Sequence, residues 1–345
     1  MQLEEFLRTV CALPGLTGNE MAVAEYVAST FRPYADEVKI DRLNNVIAHI
    51  KGDGPKVVFC AHLDEIGLMV TKIEEDGCLR MGNVGGVDPR ILPGMRVNVY
   101  GKEKLLGVIG AKAPHLLSEE DRKSNYKRED LYIDLGLPED KVRALIHIGD
   151  LVALEARFVP LKNNRFATKT ADDRACVAIL LRAMELLQSI KHKADLYFVA
   201  TCQEEIGSYG AAMSAYNVDA DYGVALDVCH AKTPGAPDLG TKKLDSLVAS
   251  MGPFINPMLR RKLMEVADAQ NIEVQTAVVP RTTSTDADSI NIQRNGIPTV
   301  LLELPLKYMH TTVELFDMHT LEEGARLLAN FAAAVDVGWE DELWN

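Results

Sequence analysis

The sequence predicts an α/β chain in which helices cover both faces of one sheet and a small β-rich unit interrupts the domain. Three observations carry this expectation. After residue 165, apolar strands alternate with helical periodicities, which is the pattern of an α/β sheet. Between about 67 and 160 the texture changes to short β-like runs separated by Gly, Pro and Asp. The 345 residues exceed one ordinary core and suit two domains of ~100–200 residues each. The economical division is a discontinuous α/β domain, 1–66 with 165–345, and an insertion, 67–164.

The elements follow in order. A first helix is predicted over 2–12. Thr17-Gly18-Asn19-Glu20 has the capping-box pattern, so a second helix is expected from there to about Phe31. Extended segments are expected at 36–41, 45–50 and 56–61. The last, Lys56-Val57-Val58-Phe59-Cys60-Ala61, is apolar after its lysine and suits a buried strand. The insertion shows β-like runs at 67–73, 78–81, 96–100, 106–111 and 151–158, and its charged stretch 115–130 is expected as a solvated loop. Residues 173–190 place Cys176, Ile179, Leu180, Ala183, Leu186 and Leu187 on one helical stripe. Strands at 195–202, 221–228, 273–279 and 297–303 then alternate with helices near 208–216, 256–270 and 286–295. A final helix is expected over about 320–336.

Composition narrows the function classes. Fifty acidic residues against 37 basic ones give a net charge of −13 at pH 7, which argues against a nucleic-acid footprint. No apolar run approaches the ~18–20 residues that span a bilayer. Glu4 and Glu5 stand where an export signal would be basic, so a cytoplasmic location is expected. Six cysteines, at 11, 60, 78, 176, 202 and 229, form no C-x-x-C pair and read as reduced thiols.

No H-E-x-x-H, G-x-S-x-G or G-x-G-x-x-G occurs. Residues 235–242 miss the phosphate-loop pattern, because Thr241 displaces its lysine, and read as a Pro/Gly loop. The chemistry-bearing residues sit instead at strand ends. His62 and Asp64 follow strand 56–61. Asp172 and Asp173 open helix 173–190. Glu204 and Glu205 follow strand 195–202, Asp227 falls near the end of 221–228, and His310 follows 297–303. Ligands of open α/β sheets bind outside the carboxyl ends of the strands, so five connections aim His, Asp or Glu at one edge. Each has a plain structural alternative: Asp172 as a helix cap, Glu204-Glu205 as solvated charge, Asp227 as a turn cap. Jointly they suggest nitrogen and carboxylate ligands for Zn, Co, Mn or a related divalent ion. Asp64 suits a supporting role, accepting the His62 imidazole N–H.

At these residues the sequence resembles the glutamyl/tetrahedral aminopeptidase family of metal-dependent enzymes, some of which have been labelled endoglucanases. The matching stretches are Ala61-His62-Leu63-Asp64-Glu65-Ile66-Gly67, Asp172-Asp173-Arg174, Gln203-Glu204-Glu205-Ile206-Gly207, Ala225-Leu226-Asp227-Val228, Thr285-Asp286-Ala287 and Tyr308-Met309-His310. The resemblance implies a mixed sheet between helices, of the zinc-peptidase type, with an inserted β-barrel-like dimerisation domain. It implies two divalent ions per subunit, Zn or Co first and Mn next. Asp172 would bridge them, His62 and Asp227 would complete one shell, and Glu205 and His310 the other. Glu204 would be the general base and Asp64 would orient His62. The Asp172–Asp173 peptide bond would be cis. Peptides would be the substrates, and dimers could assemble into a hollow tetrahedral dodecamer.

The chain departs from the family at Cys176, Ser284 and Lys307, where glycine, glycine and arginine are usual, and none of these is an expected ligand. Other hydrolase readings are a dinuclear deacylase of N-acyl amino acids and a glycosidase; the non-enzymatic reading is a scaffold. Cys60, Cys202 and Cys229 lie near the expected site, where strand packing accounts for them and oxidation-sensitive activity is the sharper alternative.

Overall fold

The computed structural model describes residues 3–155, 157–237 and 241–342. Gln2 of the first expected helix, Ala156 of the expected strand 151–158 and residues 238–240 of the Pro/Gly loop lie outside them.

The chain opens with α1 (Leu3–Val10), α2 (Met21–Phe31), β1 (Glu37–Ile40), β2 (Val46–Ile50) and β3 (Lys56–His62). The insertion follows with β4 (Gly67–Ile73), β5 (Leu79–Val84), β6 (Arg96–Tyr100), β7 (Lys104–Ala111), β8 (Leu131–Asp134), α3 (Glu139–Leu145) and β9 (Leu151–Leu154). The chain returns through β10 (Val159–Pro160), β11 (Arg165–Thr168), α4 (Ala171–Leu187), β12 (Asp195–Thr201), α5 (Tyr209–Val218) and β13 (Tyr222–His230). It ends with β14 (Leu247–Met251), α6 (Pro257–Ala269), β15 (Val274–Val278), α7 (Asp286–Asn291), β16 (Thr299–Leu306), β17 (Glu314–Asp317) and α8 (Met318–Ala334).

The architecture is the mixed α/β fold expected. Eight strands form one sheet in the order β1-β2-β12-β3-β13-β16-β14-β15. Its centre, β12-β3-β13-β16, is parallel, while β2 and β14 flank it antiparallel. Burial on both faces explains why β3 is apolar from Val57 to Ala61 and why β16 is apolar on either side of Glu303. On one side α4 packs against the sheet and against α1, α2 and α8; on the other, α5 and α7 pack together. The small third sheet, β10-β11-β17, sits beside them.

The insertion closes into a six-stranded barrel, β4-β5-β8-β7-β6-β9. It has its own core, including Leu68, Leu79, Val97, Ile109, Ile133 and Val152. Closure removes exposed strand edges that an open sheet of this size would carry.

Several local expectations change. Thr17 does not cap α2; its hydroxyl is engaged elsewhere, and Glu20 becomes the N-cap without a side-chain bond to the helix. The helix expected over 286–295 stops at Asn291, before left-handed residues at Arg294 and Gly296. β8 and α3 were not anticipated, since charge and short length masked their periodicity, and β14 lies where no element was expected. Among the described residues no helix is long and apolar enough to cross a membrane.

Candidate metal centre

Because the four central strands are parallel, their carboxyl ends share one edge. His62 is the last residue of β3 and pairs with Thr201 of β12. Asp227 of β13 stands in register with Glu303 of β16. Beyond β12 the backbone turns sharply: Gln203 has φ +59°, then Glu204 and Glu205 open a short 3-10 turn. Beyond β16 a second tight turn places Tyr308 and His310 in the left-handed region, at φ +62° and +58°. The Asp172–Asp173 bond at the start of α4 is cis, as the resemblance implies.

These turns bring the expected residues together. His62 Nε2 lies 3.1 Å from Asp172 Oδ1, and His310 Nε2 lies 3.3 Å from Asp172 Oδ2. Each imidazole is held at its other nitrogen by a backbone carbonyl: His62 Nδ1 is 3.2 Å from Asp64 O, and His310 Nδ1 is 3.0 Å from Gly86 O. A carbonyl accepts only from an N–H, so each Nδ1 carries the proton and each Nε2 is left facing the shared carboxylate. His62, Asp172 and Glu205 each offer a ligand atom within 4.8 Å of the others, and so do His62, Asp173 and Asp227. His310 Nε2 is 3.5 Å from Glu205 Oε1. Asp172, Glu204, Glu205, Asp227 and His310 open onto a cavity of about 1110 Å³.

Asp64 is fully buried and does more than meet His62. It accepts hydrogen bonds from Thr17 Oγ1 at 2.7 Å, from the Glu204 amide at 3.1 Å and from the Glu205 amide at 3.3 Å. Burial works against its charge, but His62, Thr17 and the Glu204 amide hold the carboxyl below its usual range. One buried carboxylate thereby fixes the first turn of the chain, the end of β3 and the Glu204-Glu205 turn.

The electrostatics are strained in one direction. Burial pushes Glu204 up to about 8, assisted by the carboxylates of Asp286, Glu205 and Asp64 and opposed by His62. Burial and Asp172 push Glu205 up to about 7. Burial holds Asp227 well above the carboxylate range, with Asp173 and Glu204 adding to it. The histidines compensate. Burial alone would lower His62, but Asp172 and Asp64 raise it well above the usual value. Asp172 pushes His310 up to about 9. Among the described residues no Lys or Arg pairs with Asp172, Glu204, Glu205 or Asp227 within 4.0 Å.

Sequence reasoning missed three supporting groups, and it named a fourth, Asp173, without giving it a role of its own. Glu314, 3% exposed, accepts from the Asp172 amide at 3.0 Å and from the His310 amide at 2.8 Å, so one carboxylate ties two site residues together. Asp286 is buried behind Glu204 and accepts from Thr201 Oγ1 at 2.5 Å. Asp173 receives the His62 amide on Oδ2 at 3.2 Å, while its Oδ1 has no hydrogen-bond partner. Gly86 belongs to the barrel, and a Cβ there would stand 2.9 Å from His310 Nδ1. The recognisable signal was adjacency for Asp173 and Asp286, which lie inside the quoted stretches; Glu314 and Gly86 had none.

The departures are accommodated locally. Cys176 is buried on α4 with Sγ 3.4 Å from the Asp227 carbonyl. Ser284 has φ +58°, a region where glycine is the unstrained choice, and its amide is held by Asp288 at 2.8 Å. Lys307 pairs through its backbone with Leu315.

The sequence and the fold have close counterparts. The profile of the M42 glutamyl aminopeptidases matches residues 44–327. A lysyl aminopeptidase of Pyrococcus furiosus is 38% identical over 333 residues, covering 94% of each chain. The crystal structure of a TET aminopeptidase from a marine-sediment Thaumarchaeota archaeon superimposes with a TM-score of 0.94 at 29% identity, over 99% of this chain and 98% of that one. The TET1 peptidase of Pyrococcus horikoshii, described as assembling into a tetrahedron or a large octahedral shell, gives 0.85 at 31% identity, over 97% of this chain and 100% of that one. A match to the family profile across most of the chain, together with full-length relatives at this identity, identifies a peptide-bond hydrolase that belongs to the M42 glutamyl aminopeptidase family.

Proposed function

We propose that this aminopeptidase works with two divalent metal ions, and that Glu204 is its general base. One observation carries the reading: two histidines from opposite ends of the cluster direct Nε2 at the two oxygens of a single carboxylate, Asp172. The donor set fits such ions. It is all nitrogen and oxygen, it gathers acidic groups whose mutual repulsion no nearby Lys or Arg relieves, and it includes the unpartnered buried Asp173 Oδ1. His62 and Asp227 would serve one ion, Glu205 and His310 the other, and Asp172 both. Asp173 is the further candidate beside His62 and Asp227. When bound, such a pair of ions acidifies water and polarises a carbonyl.

The rest is the work of the chain. Glu204 would take the proton of the attacking water and deliver it to the departing amine. Its amide is fixed by Asp64, its Oε1 is 3.4 Å from Ser208 Oγ and its Oε2 is 3.9 Å from His62 Nε2, so the carboxylate is aimed into the cluster. Asp64 and Gly86 keep both imidazoles in the tautomer that leaves Nε2 free. The inserted barrel, residues 67–164 in the division above, is proposed as the self-association unit, with Leu106 and Val108 exposed on β7 as its apolar face. Assembly into a shell like that described for the Pyrococcus horikoshii relative is the expected form.

Metal analysis combined with a panel of aminoacyl anilides and N-acetyl amino acids tests the reading. The expected result is two equivalents of metal, anilide hydrolysis abolished by EDTA and restored by Zn or Co, and no deacylation. Anilide hydrolysis that persists after metal is removed would overturn it.

A further inference from the structure

The cavity extends past the catalytic cluster along the sheet edge, where Glu303, Lys242 and Thr276 line it. Glu303 is 8% exposed and has no part in the chemistry described above. Ser250 Oγ donates to its Oε2 at 2.5 Å, and no donor among the described residues takes Oε1. Lys242 acts on it only through space: its ammonium is anchored on the Thr276 carbonyl at 2.9 Å and forms no ion pair with Glu303 among the described residues. Burial pushes the Glu303 carboxyl up to about 7 against the pull of Ser250 and Lys242.

A buried carboxylate that is oriented by a hydroxyl and has one oxygen left toward a cavity is costly unless a cation meets it. Its place in the fold indicates which cation. Glu303 is in register with Asp227 on the neighbouring strand. One strand spacing, about 4.7–4.9 Å, therefore separates the two backbones. A substrate's α-ammonium must stay beside the scissile carbonyl, whereas a long side chain can extend across one strand. Ala277 and Val278 line the same cavity and offer apolar surface to a methylene stem.

We propose that Glu303 is the recognition residue of the subsite for the substrate's N-terminal side chain, and that it selects a basic one, lysine or arginine. This rests on the aminopeptidase reading above. The relatives' names do not decide it, because the family is called glutamyl and the Pyrococcus furiosus relative lysyl.

The test compares kcat/KM for Lys-, Leu- and Glu-p-nitroanilide in the metal-loaded enzyme. Wild type is expected to prefer Lys over Leu and to reject Glu. In Glu303→Gln the Lys/Leu ratio is expected to fall about 30-fold or more, the scale of losing one partner of a buried charge pair. Ser250→Ala, which releases the oriented oxygen but keeps the charge, is expected to lower the ratio by about 3–10-fold, the scale of one ordinary hydrogen bond. It keeps the test decisive if Glu303→Gln does not fold. A wild-type preference for Glu, reversed by Lys242→Ala, would assign the subsite to Lys242 and overturn the proposal. So would a Lys/Leu ratio unmoved in both Glu303→Gln and Ser250→Ala. Absence of hydrolysis of any anilide by the loaded wild type would instead overturn the aminopeptidase reading on which the proposal rests.

Discussion

The two ends of the cluster are built differently. At the His62 end every support comes from the α/β domain: β3 supplies the imidazole, Asp64 its carbonyl, α4 the carboxylates, and the His62 side chain is only 2% exposed. At the His310 end the imidazole is 33% exposed, its Nδ1 rests on Gly86 of the inserted barrel, and its amide hangs on Glu314 of β17. The first end rests on one core; the second draws one of its hydrogen bonds from the barrel insertion and the other from β17. A symmetric pair of Nδ1–carbonyl bonds therefore hides an asymmetry in robustness. Because only the His310 end is tied to the barrel insertion, disruption of that contact should affect it first.

The largest expected effect cuts across the comparison. Glu204→Gln should leave metal content at both ends unchanged while kcat falls about 10²–10⁴-fold, the usual contribution of a general base. Metal analysis and steady-state kinetics on the same preparation check this; full turnover in that variant would remove Glu204 from its role. Next comes a direct strike at the interdomain end. Gly86→Ala adds a Cβ 2.9 Å from His310 Nδ1, and the ring must move. Metal affinity at one of the two positions should drop about 10–100-fold, as when other second-layer supports are disturbed. The second position should titrate as in the wild type. Equal weakening of both equivalents would show that the two ends are not independent, and the comparison would fail.

The sequence carried this site unevenly, for physical reasons. His62, Glu204, Glu205 and His310 were legible because a parallel sheet puts strand ends at one edge, and a polar residue after an apolar run is visible in one dimension. Thr17 was misread: T-G-N-E satisfies a capping box locally, but the hydroxyl has a stronger partner in Asp64, 47 residues away. Glu314 and Gly86 were invisible because each acts through backbone groups far along the chain, Gly86 on a residue 224 positions later. Glu303 looked like the last residue of an apolar strand, and only the register with Asp227 gives its position meaning. Ser284 occupies a left-handed position that glycine would fill without strain, which local composition does not reveal. Element type followed hydrophobic periodicity; support of the site followed long-range hydrogen bonds, which leave no periodic trace.

Thr17→Val probes the His62 end alone. It removes one donor from a fully buried carboxylate that keeps two amide partners, so the cost should sit near the lower edge of the range for losing a partner, about 1 kcal/mol. Denaturant unfolding of the metal-free chain should show that loss, with the His310 position binding metal as before. A variant that unfolds as the wild type does would mean that water replaces the threonine hydroxyl and that Asp64 does not depend on it.

The smallest effect is the pH response of the metal-free chain, to which groups at both ends contribute, the raised His62 with the same sign as His310. Asp172 raises His310 to about 9, above the usual ~6.5 of histidine. A folded-state pKa raised in this way contributes stability that is complete below ~6.5 and is lost as pH rises through about 9. Asp64, held below its usual range, behaves oppositely: its contribution is present above that usual value and vanishes as acid protonates it. Glu204 and Glu205, at about 8 and 7, also lose stability as they ionise, so the raw slope is shared. The difference between wild type and His310→Gln isolates the imidazole. Because solvent screens a ring one-third exposed, that difference in Tm should shrink by only about 2 °C between pH 6.5 and 10. A difference constant across that range would mean that His310 stands neutral beside Asp172 and that packing against Gly86, not charge, holds the interdomain end in place.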